Sequence, residues 1–136
     1  MQKRSDLVLL LARILLGMIF VLSGYGKLMH LDGFASGLAS RGVPMTGFLG
    51  PLGAVIEFFG GAAIVLGIEV RWVSALMILF VIVATAIAHR FWELDGGARQ
   101  AQHTQFMKNL AIIGGFLALM AVGGGRAAVE RLWRRG

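Results

Sequence analysis

The sequence predicts an all-α membrane protein, a transmembrane four-helix bundle that runs up-down-up-down with a short amphipathic helix in its first outer loop. Of the 136 residues, 57% are hydrophobic and 15% are charged, which is more apolar surface than a soluble domain of this length could cover. The apolar residues form continuous runs, whereas the strands of a β-barrel alternate. A helix needs about 20 residues to cross the hydrocarbon, and four runs approach this length. They predict a single transmembrane domain over residues 1–136, with spans at about 7–24, 48–68, 72–88 and 106–122.

The first span runs from Leu7 to about Gly24 and contains a single charge, Arg13. The basic start of the chain, Met1 to Arg4, would suit the first part of a cleaved signal peptide. A charge within the apolar segment and the lack of an Ala-x-Ala site after it argue against cleavage. We therefore expect this span to remain in the protein as a helix.

The first outer loop is predicted to contain a short helix. Leu31, Phe34 and Leu38 recur at helical spacing, and a Gly-Val-Pro stop signal follows. This pattern predicts an amphipathic helix over Leu31–Arg41 that lies on the outer surface or caps the bundle.

The later spans differ in the polar residues that they contain. The second is interrupted only by Glu57, and the third contains no charge. The fourth is short, Leu110 to Val122, unless it also includes Lys108 and Asn109. This suggests that these two residues face protein or water rather than lipid. The segment Arg90–Gln105, before the fourth span, is rich in polar residues and is predicted to be an exposed loop.

Basic residues at the ends of the spans predict the orientation. Four spans place both termini on one side of the membrane, where seven basic residues lie against five on the other side. Because an excess of Lys and Arg marks the cytoplasmic side, we expect a multi-pass protein of the bacterial inner membrane with both termini in the cytoplasm. The seven are Lys3, Arg4, Arg71, Arg126, Arg131, Arg134 and Arg135, and the five are Lys27, Arg41, Arg90, Arg99 and Lys108.

The two charges inside the spans lie on helix faces that are rich in small residues. Glu57 shares a face with Gly53 and Gly60, and Arg13 shares one with Gly17. Such faces let helices approach closely, so we expect them to face each other or a shared interior. The expected depths of the two charges differ by about 7 Å along the membrane normal, a gap that arginine can largely close.

An unpaired charge in the bilayer is costly, which leaves two interpretations open. In the structural one, Arg13 and Glu57 form an ion pair. In the functional one, Glu57 and His89 exchange protons or contact a ligand in a polar pocket that opens to the outer side, toward which the side chain of Glu57 leans. The candidate ligand or proton pocket comprises Arg13, Lys27, Glu57, His89, Lys108 and Asn109.

Composition excludes several other kinds of site. The chain has no cysteine, which excludes disulfides and thiolate metal sites. His89, His103, Glu93 and Asp95 lack a diagnostic ligand spacing, so no metal site is predicted. No basic surface interleaved with aromatic residues lies outside the apolar runs, so nucleic acid is not an expected partner. The expected partner is the bilayer, and the glycine-rich faces leave room for a homodimer.

Several short motifs occur in a characteristic order along the chain. They are Arg13-Ile14-Leu15-Leu16-Gly17, Gly24-Tyr25-Gly26-Lys27-Leu28, Gly42-Val43-Pro44, Glu57-Phe58-Phe59-Gly60-Gly61, Leu66-Gly67, His89-Arg90-Phe91-Trp92 and Phe106-Met107-Lys108-Asn109-Leu110. In this order and spacing they resemble the DoxX family of small bacterial membrane proteins, over about residues 8–124. The resemblance implies a four-helix membrane protein in which Arg13, Glu57, His89, Lys108 and Asn109 occupy the family's polar positions.

The resemblance also implies a role in redox chemistry, because the family is named after a subunit of a thiosulfate:quinone oxidoreductase. We expect a membrane subunit or partner of a redox complex, an accessory component rather than a self-sufficient enzyme, with an oxidoreductase as its partner. No covalently bound cofactor is expected. A quinone would contact the outer pocket through donors such as His89 or Lys108. Two alternatives stay open: a small proton-coupled transporter or exporter that uses Glu57, and a structural scaffold without its own activity.

Overall fold

The computed structural model describes residues 2–133, except for the side chains of Gln2, Lys3 and Trp133. Within this range the chain forms helices and no strand, which confirms the all-α prediction. In chain order the helices are α1 (Gln2–Met29), α2 (Leu31–Ala39), α3 (Thr46–Leu66), α4 (Val70–Ala88), α5 (Gly96–Val122) and α6 (Glu130–Trp133), and a 3₁₀ turn (Phe91–Glu93) lies between α4 and α5.

Four of these helices, α1, α3, α4 and α5, are long and apolar enough to cross a membrane. Most of their apolar side chains lie on the outside of the bundle. In the most apolar window of α5, only 11% of the residues are buried. So large an exposed apolar surface is unfavourable in water, whereas the acyl chains of a bilayer surround it with apolar neighbours. The chain is therefore an integral membrane protein, and the predicted four-span bundle is confirmed.

The start of α5 differs from the sequence prediction. Residues 96–105, predicted to be part of an exposed loop, are helical. Hydropathy marks the part of a helix that lies in the hydrocarbon and not the point where the helix begins. The 27 residues of α5 extend about 40 Å, beyond a hydrocarbon layer of about 30 Å. The first turns of α5 pack on the 3₁₀ turn, where the Phe91 ring lies 4.8 Å from the His103 ring.

α1 and α3 are antiparallel, and their backbones pack closely together. A Cβ atom on Gly24 would come within 2.5 Å of the Phe58 amide nitrogen, and one on Gly61 within 2.9 Å of the Gly17 carbonyl oxygen. The absence of side chains therefore permits this approach. The glycine face predicted on α1 does contact α3. On α3 the contact is made by Gly61, whereas Gly60 faces α4.

A cluster of buried apolar side chains fills the centre of the bundle. The Phe20 ring of α1 lies 5.5 Å from the Phe116 ring of α5, and side chains of α3 and α4 complete the cluster. This layer separates the two ends of the bundle, each of which has its own polar groups. The cluster comprises Phe20, Ile64, Val70, Met77, Val81, Phe116 and Leu119.

The first turns of α1 and residues 123–133 lie at one end of the bundle, which we call the terminal end. There the Arg126 amide donates a hydrogen bond of 2.9 Å to Asp6, and the Val129 amide donates one of 3.2 Å to the Leu66 carbonyl. Of the basic residues used to predict the orientation, the Lys3 side chain, Arg134 and Arg135 lie outside the described residues.

The opposite end, which we call the α2 end, is covered by α2. This helix packs on the first half of α3, where a Cβ atom on Gly50 would lie 3.4 Å from the Cβ of Ala35. The structure confirms the short amphipathic helix predicted in the first outer loop, and the helix ends at Ala39, two residues before the predicted end.

Candidate functional site

The buried carboxylate of Glu57 is paired with Lys27. The Lys27 Nζ lies 2.5 Å from Glu57 Oε2, and the lysine side chain is 30% exposed whereas that of Glu57 is 6% exposed. Lys27 lies in the last turn of α1, where the helix dipole favours a cation. Its Nζ also lies 5.0 Å from the centre of the Phe34 ring of α2. The pair therefore joins α1 to α3 beneath α2.

Arg13 is not the partner of Glu57, which corrects the ion pair of the structural interpretation. The antiparallel contact of α1 and α3 places Arg13 against Gly67, after the last residue of α3. Glu57 lies ten residues before Gly67, which corresponds to about 15 Å along a helix. Arg13 Nη2 donates instead to the Ala127 carbonyl at 3.1 Å. The two charges belong to opposite ends of the bundle.

Lys27 also lines a groove of about 330 Å³ between α2, α3 and α4. Among the described residues that line this groove, Lys27 is the only charged one. The groove passes along the lipid-facing side of α4, where Leu76, Leu79 and Val83 are exposed at the bundle surface. It is an apolar site with one cation at its α2 end. Its walls include Phe34, Leu38, Leu49, Gly53, Ile56, Leu79, Val83 and Ile87.

His89 and Asn109 lie in a separate seam between α4 and α5. The His89 Nδ1 is 2.7 Å from the Gln102 Oε1. Asn109 Nδ2 donates to Thr85 Oγ1 at 2.8 Å, and that hydroxyl donates to the Val81 carbonyl at 2.6 Å. These polar side chains satisfy one another across two helices, and neither His89 nor Asn109 lines the groove.

Lys108 is exposed on α5 and also lies outside the groove. The structure thus divides the six predicted site residues among four places. Lys27 and Glu57 are joined, His89 and Asn109 share the α4–α5 seam, Lys108 is exposed, and Arg13 is at the terminal end. Among residues 2–133, no group of three histidine or acidic side chains is close enough together to hold a metal ion.

The groove uses residues that the sequence interpretation did not include. The sequence predicts Phe34 only as part of the apolar face of α2 and Gly53 only as part of a helix contact. The amphipathic pattern of α2 was the available signal, because an apolar face that lies across the bundle must cover something. Because α2 follows Lys27 closely in the chain, the same signal could have predicted that Lys27 lies beneath α2.

The chain is similar to a family model and to known proteins. The family model DoxX matches residues 8–90, which include Arg13, Lys27, Glu57 and His89. The chain is 35% identical over 132 residues to the inner membrane protein YqjF of Escherichia coli strain K12, covering 97% of this chain and 96% of that protein. It is 34% identical over 124 residues to the inner membrane protein YphA of the same strain, covering 91% and 89%. No solved structure matches the chain.

Proposed function

The chain belongs to the DoxX family, and we propose that it is a bacterial inner-membrane protein that binds a lipid-soluble quinone in the groove beneath α2, as the membrane subunit or partner of a redox complex. The observation that carries the proposal is the groove itself, with apolar walls from three helices and the Lys27 ammonium at one end. Small-molecule sites typically combine apolar walls with a few polar groups that fix orientation.

The Lys27–Glu57 pair favours a neutral ligand with a hydrogen-bond acceptor. An ammonium has three N–H donors, and one is used by Glu57, which leaves two for a ligand in the groove. Because the pair carries no net charge, an anionic head group would gain little electrostatic attraction. A cationic head group would be repelled by the Lys27 ammonium, which is the charged group that lines the groove. A quinone carbonyl is a neutral acceptor of the required kind.

The open side of the groove suits a long apolar tail. Leu76, Leu79 and Val83 lie along α4 toward the centre of the membrane and are exposed at the bundle surface. A head group at Lys27 would therefore have a tail that runs out between α3 and α4 into the acyl chains. This geometry fits a ligand that is dissolved in the bilayer.

The interior below the pair gives less support to a proton-coupled transporter. Transport through Glu57 needs a polar path to both sides of the membrane. Between Glu57 and the terminal end lies the buried apolar cluster that includes Phe20, Ile64 and Met77. The third interpretation, a structural scaffold, can be distinguished from quinone binding with the double variant Lys27→Met/Glu57→Met.

A partner protein or a second copy of the chain has apolar surface available on the far side of the bundle. α1 and α5 enclose a groove of about 530 Å³ that includes the small residues Ala12, Gly115 and Ala118. Small residues are typical of contacts between transmembrane helices. We place the oxidoreductase partner of the proposed complex on this side, away from the quinone groove.

Filling the groove at Gly53 is expected to abolish quinone binding without unfolding the protein. A Cβ atom at Gly53 would have no neighbour within 4 Å, so Gly53→Leu projects a side chain into the groove and improves helix propensity. A short-tailed benzoquinone such as decylubiquinone should raise the unfolding temperature of the wild-type protein in detergent, and Gly53→Leu should remove this increase.

The matched control is Gly47→Leu, since Gly47 is also an open glycine of α3 but does not line the groove. This variant should respond to the benzoquinone as the wild type does. If no quinone changes the unfolding temperature of the wild type, or if Gly53→Leu responds fully, the groove does not bind quinone.

The proposed orientation, with the terminal end in the cytoplasm, can be tested with single cysteines because the chain has none. Gly97, on the first turn of α5, is exposed, and Leu132 at the terminal end is 76% exposed. In spheroplasts, a membrane-impermeant maleimide is expected to label Gly97→Cys at once and Leu132→Cys only after permeabilisation. The reverse pattern would show that the basic terminal end faces outward, against the charge rule.

A further inference from the structure

The terminal end of the bundle holds a buried guanidinium whose donors are only partly used. Arg13 is 0% exposed. Its Nη2 donates to the Ala127 carbonyl, whereas its Nε and Nη1 have no partner among the described residues. A buried cation is unfavourable unless its donors are satisfied. The guanidinium therefore keeps unused N–H donors on two of its nitrogens, which a negatively charged oxygen could accept.

Gly67 brings this guanidinium to the beginning of α4. Its φ of 79° lies in the left-handed region, and a Cβ atom there would overlap Arg13 Nη1 and approach the Ala128 Cβ to 2.7 Å. Gly67 precedes Val70, the first residue of α4, by three positions. Arg13 therefore lies beside the α3–α4 turn, where the C-terminus of α3 favours a cation and the free amides at the N-terminus of α4 favour a negative charge.

Glu130 supplies negative charge at this position. Its Oε2 accepts a hydrogen bond of 3.1 Å from the Val70 amide, and its own amide donates to the Gly67 carbonyl at 3.0 Å. Arg13 Nε and Nη1 stay without a partner among the described residues even so. The carboxylate thus occupies the N-terminus of α4 without using all the donors around it.

The segment that carries Glu130, residues 123–133, has few buried apolar side chains, and we call it the strap. Ala128 is buried, but Leu132 is exposed. The other links to the bundle are polar. Val129 and Glu130 donate backbone hydrogen bonds to the α3–α4 turn, Arg126 contacts Asp6, and the Ala127 carbonyl accepts from Arg13. Segments with few buried apolar contacts open at a lower free energy than the core does, so we expect the strap to open before the four long helices separate.

We propose that the terminal end is an oxyanion site, distinct from the quinone groove, which the strap occupies through Glu130 and which binds a phosphate group between Arg13 and the first turn of α4 when the strap lifts. Arginine and helix N-termini are donors well suited to phosphate. Arg71, in the first turn of α4, adds a further positive charge next to Gly123 of the strap. This chemistry is shared by free phosphate and by the phosphate of an anionic phospholipid.

The test removes the competing charge and keeps the shape of the strap. In E130Q the amide oxygen can still accept from Val70. In neutral detergent, inorganic phosphate is expected to raise the unfolding temperature of E130Q to saturation, with an apparent affinity about tenfold or more above that of the wild type, because the intramolecular competitor is gone. Potassium chloride at equal ionic strength separates binding from screening.

The matched control is E93Q, since Glu93 is paired with Arg90 at the α2 end and its loss should leave the phosphate response unchanged. Parallel measurements in nanodiscs compare phosphatidylglycerol with phosphatidylcholine. If the unfolding temperature of E130Q rises only in phosphatidylglycerol, the site binds a lipid head group. If it rises with inorganic phosphate, the site binds free phosphate.

The proposal is overturned if E130Q responds no more strongly than E93Q in either medium, or if the double variant R13Q/E130Q keeps the gain. Should the double variant fail to fold, the comparison of E130Q with E93Q decides alone. Quinone binding is measured separately, so failure of this site leaves the groove untouched.

Discussion

Replacing Lys27 by methionine is expected to destabilise the protein by about 3–5 kcal/mol, because it leaves the carboxylate of Glu57 buried without its counter-ion. Glu57 is 4% exposed, and the Lys27 Nζ lies 2.5 Å from its Oε2. The oxygens of Glu57 also lose the lysine donor, and a buried polar group without its hydrogen-bond partner is costly. The free energy of unfolding can be measured by titrating the purified protein in mixed micelles with sodium dodecyl sulfate.

The reverse substitution is expected to cost less. In Glu57→Met the ammonium of Lys27, whose side chain is 30% exposed, can turn toward the head groups at the α2 end. The double variant Lys27→Met/Glu57→Met should recover most of the stability, because two methionines fill a similar volume without a buried charge. The double-mutant cycle then measures the interaction between the two residues. A Lys27→Met protein as stable as the wild type would mean that Glu57 does not depend on this pair.

The same double variant distinguishes the quinone groove from a structural scaffold. If the protein is only a scaffold, a stable double variant should respond to decylubiquinone in the same way as the wild type. Quinone binding predicts a protein that is folded but no longer stabilised by decylubiquinone, since the donor in the groove is gone. Lys108→Met is the matched control, because this lysine is exposed and lies outside the groove.

The four-span bundle could be predicted because hydrophobic length is a local property of the sequence. The ends of the helices could not be predicted equally well. The first turns of α5 contain Gln100, Gln102 and His103, which hydropathy assigns to a loop, although polar residues form helices readily outside the hydrocarbon. What holds these turns is tertiary packing, such as the contact between the Phe91 and Phe106 rings at 5.3 Å.

The site could be predicted in part, since the sequence identified the intramembrane charges but not their pairing. Pairing depends on which residues of α1 and α3 lie side by side, and that register is set by where their backbones touch. The contact of Gly24 with Phe58 places the end of α1 next to Glu57 and so brings Lys27 within reach. The chain has 20 glycines, and periodicity alone did not show which of them would meet the other helix.

This register leads to a sharp comparison between two glycines of α1 that are two residues apart. Gly24→Ala is expected to destabilise the protein by about 3 kcal/mol, because the new Cβ atom would lie within 2.8 Å of the amide nitrogen, Cα and Cβ of Phe58 and backbone atoms cannot move aside cheaply. Gly26→Ala has no neighbour within 4 Å and should stabilise α1 by up to about 1 kcal/mol through helix propensity. The same detergent titration measures both.

The comparison also tests whether the helix contact maintains the binding site. Phe58 is adjacent to Glu57 in the chain, so separating α1 from α3 at Gly24 should lengthen the Lys27–Glu57 contact and weaken the response to decylubiquinone, while Gly26→Ala leaves both unchanged. In the structure, a Cβ atom on Gly24 would lie 2.5 Å from the Phe58 nitrogen. If the two alanine variants were equally stable, the backbones of α1 and α3 would have to be farther apart than this distance implies. In that case the register that joins Lys27 to Glu57 would have to arise from contacts elsewhere along the two helices.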